Sequence, residues 1–191
     1  MRVSIVHAAI EIINSKSYAL ATLTGIAARL NLRDAALYHY FPNKQALAYA
    51  CHRYSLERIE QLLVMTDRAG GTGEEKLRHF IRGLLVDAAQ HGPQLYMGDY
   101  SYLEAAQRKV ISAWATRLKN MLVKFFKEGM ADGSLVQCEP ELVVQLLLGM
   151  LISLAKWVPE VDGVTVDRLM NAIDATVFRG VERGHTIAQK K

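Results

Sequence analysis

Apolar residues recur every three to four positions along almost the whole chain, and the alternation of two that marks strands is scarce. Near the start, Ile5, Ala9, Ile12 and Ile13 form one apolar helical face. Leu23, Ile26, Ala27 and Leu30 form a second, Asn31 interrupts it, and Leu32, Ala36 and Leu37 resume on a segment too short to be stable alone. Two such short helices need a third to pack on, so the first part of the chain predicts a three-helix unit of helix-turn-helix type. Asn31 falls where the chain must reverse, and Asn tolerates the left-handed backbone. Thr22 suits the cap of the first short helix, and Asp34 puts negative charge at the start of the second, where the helix dipole favours it.

The remainder reads as longer helices. Ala46 to about Met65 is a connecting helix, and Gly70, Gly71 and Gly73 mark a loose joint. Thr72 and Glu75 open an amphipathic stretch through Leu77, Phe80, Ile81, Leu84, Leu85 and Ala88, which stops at His91-Gly92-Pro93. Leu103 to Met130 follows, closed by Ala131-Asp132-Gly133-Ser134; then Pro140 to Val158, opened by proline; then Thr165 to about Arg183, ending at Gly184. The fold class is therefore all-α, with a three-helix unit of helix-turn-helix type at 1–47 and a larger helical domain at 48–191. Leu142 to Trp157 is the most apolar stretch, but its run of about 14 residues, broken by Gln145, falls short of the ~20 that cross a bilayer, so no membrane partner is expected.

Charge places the polyanion-facing part. Residues 1–53 hold six basic side chains (Arg2, Lys16, Arg29, Arg33, Lys44, Arg53) against Glu11 and Asp34, and the rest of the chain holds 17 of each sign. All of the net +4 thus lies in the segment with the helix-turn-helix pattern. Its second short helix presents Arg33, Asp34, Ala35, Tyr38 and His39 outward, groups that reach base edges or phosphates in a major groove. Two cysteines, Cys51 and Cys138, without a signal sequence read as reduced thiols in the cytoplasm.

The run from Ile5 to Leu47 resembles the DNA-binding domain of the TetR/AcrR family of transcriptional regulators. Ala9, Thr22, Ile26, Ala27, Leu37, Tyr38, Tyr40, Phe41 and Lys44 carry the likeness, and the string Tyr38 to Lys44 is its most diagnostic part. The resemblance implies that Tyr38, Tyr40 and Lys44 touch phosphates with help from Thr24, while Arg33, Ala35 and His39 lie near the bases. It also implies a homodimer on a pseudopalindromic operator in double-stranded DNA, with the Leu142–Trp157 helix and the final helix pairing across the two-fold axis. The chain departs from the family pattern at Ser17 and Asn31, where glycine is usual, and at Arg33, where a small hydroxyl residue usually caps the recognition helix.

The larger domain is expected to bind a small-molecule effector. Phe80, Leu84, Trp114, Leu118, Met121, Leu147 and Met150 face inward by helical spacing, and Tyr96 and Tyr100 belong to an aromatic segment between helices. The second half is also similar to TetR regulators that respond to acyl-CoA thioesters, through Glu128 to Ser134, Leu148-Gly149-Met150 and Lys156-Trp157; that likeness implies phosphate contacts from Lys156, Arg117 or Arg108. The histidines show no ligand-pair spacing, Gly70 to Gly73 lacks the lysine of a phosphate loop, and no nucleophile motif is present, so neither a metal, a cofactor nor an enzymatic activity is expected. The expected function is a ligand-responsive repressor; the alternative is a protein-interaction or architectural DNA-binding protein without an effector.

Overall fold

Helix α1, Arg2–Lys16, lays Ile5, Ala9, Ile10 and Ile13 into the core at helical spacing. Ser17 ends it at φ 82°, with its amide donating to the Ile13 carbonyl. Helix α2, Leu23–Arg29, is capped by Thr22, whose hydroxyl accepts from the Gly25 amide at 3.0 Å. Asn31 takes the left-handed conformation at φ 55°, and α3, Asp34–Tyr40, follows and packs on α2. Ile26, Ala27, Leu37 and Phe41 close the small core between these helices. The computed structural model describes residues 1–179, and among them no strand occurs.

Helix α4, Lys44–Ala69, is longer than the hydrophobic pattern indicates. Asn43 accepts from the Ala46 amide at 2.7 Å, which starts the helix at Lys44, and Gly70 at φ 74° stops it. It runs unbroken from the helix-turn-helix unit into the larger bundle, packing on α1 at one end and on α5 and α6 at the other. Helix α5, Gly73–His91, opens with a full capping box between Thr72 and Glu75, and α6, Ala105–Asp132, ends at Gly133 in the left-handed conformation. Gly73 crosses α6 so closely that a Cβ there would lie 2.1 Å from the Gly129 amide nitrogen. Only glycine fits.

Helix α7, Pro140–Trp157, buries Val144, Leu147 and Leu151, packs on α6, and leaves Leu142 and Leu146 exposed. With the turn that follows it, Pro140–Glu160 spans 21 residues at a mean hydropathy of 1.8, long and apolar enough to cross a membrane by length and composition. The apolar stretch is therefore longer than the sequence reading allowed, because the flanking turn continues it. Helix α8, Val166–Ile173, gives way at Asp174–Phe178 to a wider π-type turn. The predicted single helix from Thr165 is broken there, where Arg78 pairs with Asp174 and stacks 4.1 Å over the Phe178 ring; its predicted end, 180–183, lies outside the described residues. Both cysteines are free thiols, Cys51 buried and Cys138 half-buried.

Candidate nucleic-acid interface and effector cavity

Helix α3 turns Leu37 inward and leaves Arg33, Asp34, Ala35, Tyr38 and His39 on the surface. Arg33 holds the cap position in an extended conformation without making a cap bond, and its guanidinium makes no ion pair among the described residues. Tyr38, an aromatic ring at 53% exposure, has no core to pack into. These side chains form a face that is free to meet a groove. Thr24 and Asp34 are occupied differently: the Thr24 hydroxyl donates to the Asp34 carboxylate at 2.8 Å, tying α2 to α3. Tyr40 is half-buried, and its carbonyl accepts from Arg2, whose guanidinium lies 4.5 Å over the Phe41 ring.

Lys44 departs most from its expected role. Its ammonium donates to the carbonyls of Tyr18, Ala19 and Ala21 at 2.9, 3.3 and 2.9 Å and sits 4.3 Å from the Tyr18 ring centroid. All three of its donors are engaged, so in the free protein it fastens the turn between α1 and α2 to the start of α4. Sequence alone gives no sign of this, because Tyr18 and Lys44 are brought together only when α4 folds back on α1.

A cavity of about 560 Å³ opens between α4, α5, α6, α7 and the start of α8. Phe80, Leu84, Tyr100 and Leu118 line it as expected. Trp114, Met121, Tyr96, Leu147 and Met150 do not. Trp114 turns toward α4, where its indole N–H donates to Glu60 at 3.0 Å, and the Tyr96 ring lies under the Lys156 ammonium. Leu147 belongs to the buried core and Met121 and Met150 pack against it, each one residue away from a lining residue (Leu148, Leu122 and Leu151), a rotation too fine for periodicity to resolve. Lining residues that the sequence reading missed include Gln94, Leu95, Lys119, Gln145 and Leu151; Gln94 and Leu95 follow Pro93 in irregular backbone, where no period exists to read.

Residues between α5 and α6 join this cavity to the helix-turn-helix unit. Gln94, Leu95, Met97 and Tyr100 form part of the cavity wall. From the same segment, the Gln94 carbonyl accepts from the Asn14 amide at 2.9 Å, the Tyr96 amide donates to Asn14 Oδ1 at 2.8 Å, and Tyr102 stacks on Tyr18 with centroids 3.8 Å apart. His52 of α4 lies fully buried behind this segment, its Nε2 3.0 Å from the Tyr102 hydroxyl and its Nδ1 without a partner among the described residues. Burial pushes its pKa down to about 4, against a small opposing pull from Asp99, so His52 is neutral at physiological pH. Burial likewise raises the Tyr102 phenol, which stays protonated.

The three cations implied as phosphate contacts are otherwise engaged. Lys156 donates to the Asn14 carbonyl at 2.8 Å, Arg108 donates to the carbonyls of Ser101 and Leu103 at 2.8 and 2.9 Å, and Arg117 pairs with Glu60 at 2.5 Å. Each stabilises a loop or a helix pair.

Comparison with known proteins agrees with this arrangement. Residues 5–51 match the profile of bacterial regulatory proteins of the tetR family, and residues 70–182 match that of the tetracyclin repressor-like C-terminal domain. Among solved structures, PfmR of Thermus thermophilus, a TetR family transcriptional regulator, superposes with a TM-score of 0.78 at 21% identity over 94% of this chain and 99% of its own. AibR in complex with isovaleryl coenzyme A and operator DNA gives 0.78 at 20% identity over 94% and 100%, and the ketosteroid regulator KstR2 of Mycobacterium tuberculosis gives 0.79 at 15% over 94% and 93%. At these identities the likeness is one of fold. No curated protein matches the sequence. The two profile matches span both the three-helix unit and the cavity-bearing bundle, and the chain belongs to the TetR family of bacterial transcriptional regulators.

Proposed function

We propose that this protein is a repressor that binds a pseudopalindromic operator as a homodimer and releases it when an apolar or amphipathic molecule fills the cavity. The carrying observation is the segment between α5 and α6, which walls the cavity with Leu95, Met97 and Tyr100 and grips the helix-turn-helix unit through Asn14 and Tyr18. A molecule that wedges this wall apart strains both grips and the Leu56 and Ile59 face of α4. The two α3 helices of a dimer then change their separation, which disfavours docking in successive grooves. Such a ligand acts by preferring the DNA-incompetent arrangement, as a population shift demands.

The exposed apolar face of α7, with Leu142 at 57% and Leu146 at 76% exposure, supports pairing with a second copy. Arg33, Ala35, Tyr38 and His39 are proposed as the base-reading and phosphate-contacting set, with Tyr38 supplying affinity and Arg33 sequence preference. An acyl-CoA effector draws support from the AibR fold likeness, and it would require cations other than Lys156, Arg108 and Arg117.

A gel-shift titration against DNA from upstream of its own gene tests the reading. Site-specific retardation that Arg33→Ala weakens selectively on that site is the expected result. Retardation without site preference would replace the repressor with an architectural protein.

A further inference from the structure

Among the described residues the cavity lining holds no aspartate or glutamate, and its one charged side chain is Lys119 on α6. Ser112, Thr116 and Lys119 follow one another at four- and three-residue spacing, so they share a face of α6, and Gln145 of α7 joins them in the lining. Ser112, Thr116 and Gln145 are exposed and Lys119 is half-buried, which puts this polar group at the rim; Leu84, Leu118, Leu122 and Leu151 make the interior apolar. Lys119 makes no ion pair or hydrogen bond among the described residues. Its charge reaches Glu141, whose carboxyl is held below its usual range chiefly by a hydrogen bond from Lys127 and least by the charge of Lys119. Glu141 therefore already has its cation.

We infer that the effector is an amphipathic monocarboxylate, its hydrocarbon chain in the cavity and its carboxylate at the rim against Lys119, with the Ser112 and Thr116 hydroxyls and the Gln145 amide as further donors. This rests on the reading of the cavity as the effector site and specifies what enters it. An apolar channel alone accepts any hydrocarbon, whereas one unpaired ammonium beside neutral donors favours a single negative charge. A lone ammonium matches a carboxylate better than the several phosphates of a coenzyme A ester, which need more cations than the lining has. A cationic amphiphile meets like charge and is rejected.

The test is a calorimetric titration of the full chain without DNA, using decanoate, decanol and decanoyl-coenzyme A, repeated on Lys119→Gln. Decanoate should bind wild type about tenfold more tightly than decanol, Lys119→Gln should abolish that difference, and decanol should bind both proteins alike, showing that the variant is folded. Equal binding of decanoate and decanol by wild type overturns the inference, as does a preference that survives Lys119→Gln. Tighter binding of decanoyl-coenzyme A than of decanoate also overturns it. Failure of the repressor reading shows separately, as absence of site-specific gel retardation by the ligand-free protein while the carboxylate preference persists.

Discussion

The helix-turn-helix unit closes on itself, whereas the larger bundle leaves space inside and apolar surface outside. In the small unit Thr22 caps α2, Thr24 bonds Asp34, and Lys44 binds three carbonyls, so these polar groups hold the short α2 and α3 and the turn before them in place, while Arg33, Tyr38 and His39 stay on the surface. Helices of seven residues have little stability of their own and need such fastenings. In the bundle, helices of up to 28 residues carry caps and ion pairs too, such as the Thr72–Glu75 box and Lys76 with Asp67 and Glu128, yet packing is left unfinished around a cavity of about 560 Å³ and along α7. The difference fits a division of labour: a firm reading head, and a deformable body whose incomplete packing is where binding energy can act.

The largest expected effect breaks the division from the bundle side. Leu146→Asp places a charge on the most exposed large residue of α7, remote from α3. If that face joins two copies, the variant should sediment as a monomer and lose more than about a hundredfold in operator affinity, because each half-site is then bound singly. The melting of the monomer should change little, since the side chain is 76% exposed. A dimer that persists in analytical ultracentrifugation would move the interface elsewhere.

Next in size is an acid sensitivity at the seam between the two regions. His52 has its folded pKa lowered to about 4 from an ordinary value of 6.5, so the unfolded chain takes up the proton first. Stability from this group is complete above about pH 6.5 and declines as pH falls toward 4, by about 3 kcal/mol in total. Subtracting the pH–stability curve of His52→Gln from that of wild type isolates this component from the carboxylates. A flat difference between pH 4 and 6.5 would show that the seam opens enough to hydrate the imidazole.

How much of each region was legible in the sequence follows from the same contrast. Caps and turns depend on residues three or four apart, so Thr22, Thr72 with Glu75, the left-handed Asn31 and the stop at Gly92 could all be read directly. The outward face of α3 was equally legible, because helical spacing fixes which side Leu37 buries. The cavity was only partly so. Phe80 and Leu84 follow from the strong period of α5, but the choice between Leu147 and Leu148, or Met121 and Leu122, depends on how α6 and α7 rotate against neighbours far away in sequence. Contacts across 23 to 26 residues, such as Lys44 with Ala21 and Tyr18, carry no local signature, so the clamp that Lys44 makes in the free protein is not legible in the sequence.

That clamp supplies the third effect. Lys44→Met retains the aliphatic stem but removes three hydrogen bonds and the charge over Tyr18, and it should destabilise the protein by about 2 kcal/mol. At temperatures where the variant is folded, the slope of operator affinity against salt should match wild type. A slope reduced by about one counterion would instead show that Lys44 leaves its carbonyls for a phosphate when DNA binds.

The smallest effect distinguishes a fastening from a contact within the reading head itself. Thr24→Val keeps the size of the side chain and removes its exposed hydrogen bond to Asp34, at a cost of about 0.5–1 kcal/mol in stability. With that bond gone, the Asp34 carboxylate at the start of α3 is free to turn toward the DNA backbone, where like charge repels it. If Thr24 only restrains Asp34, the double variant Thr24→Val with Asp34→Asn should recover operator affinity, because the amide carries no charge to repel a phosphate. If Thr24 itself bonds a phosphate, affinity stays low in the double variant whatever stands at position 34, and the reading head extends from α3 onto the start of α2.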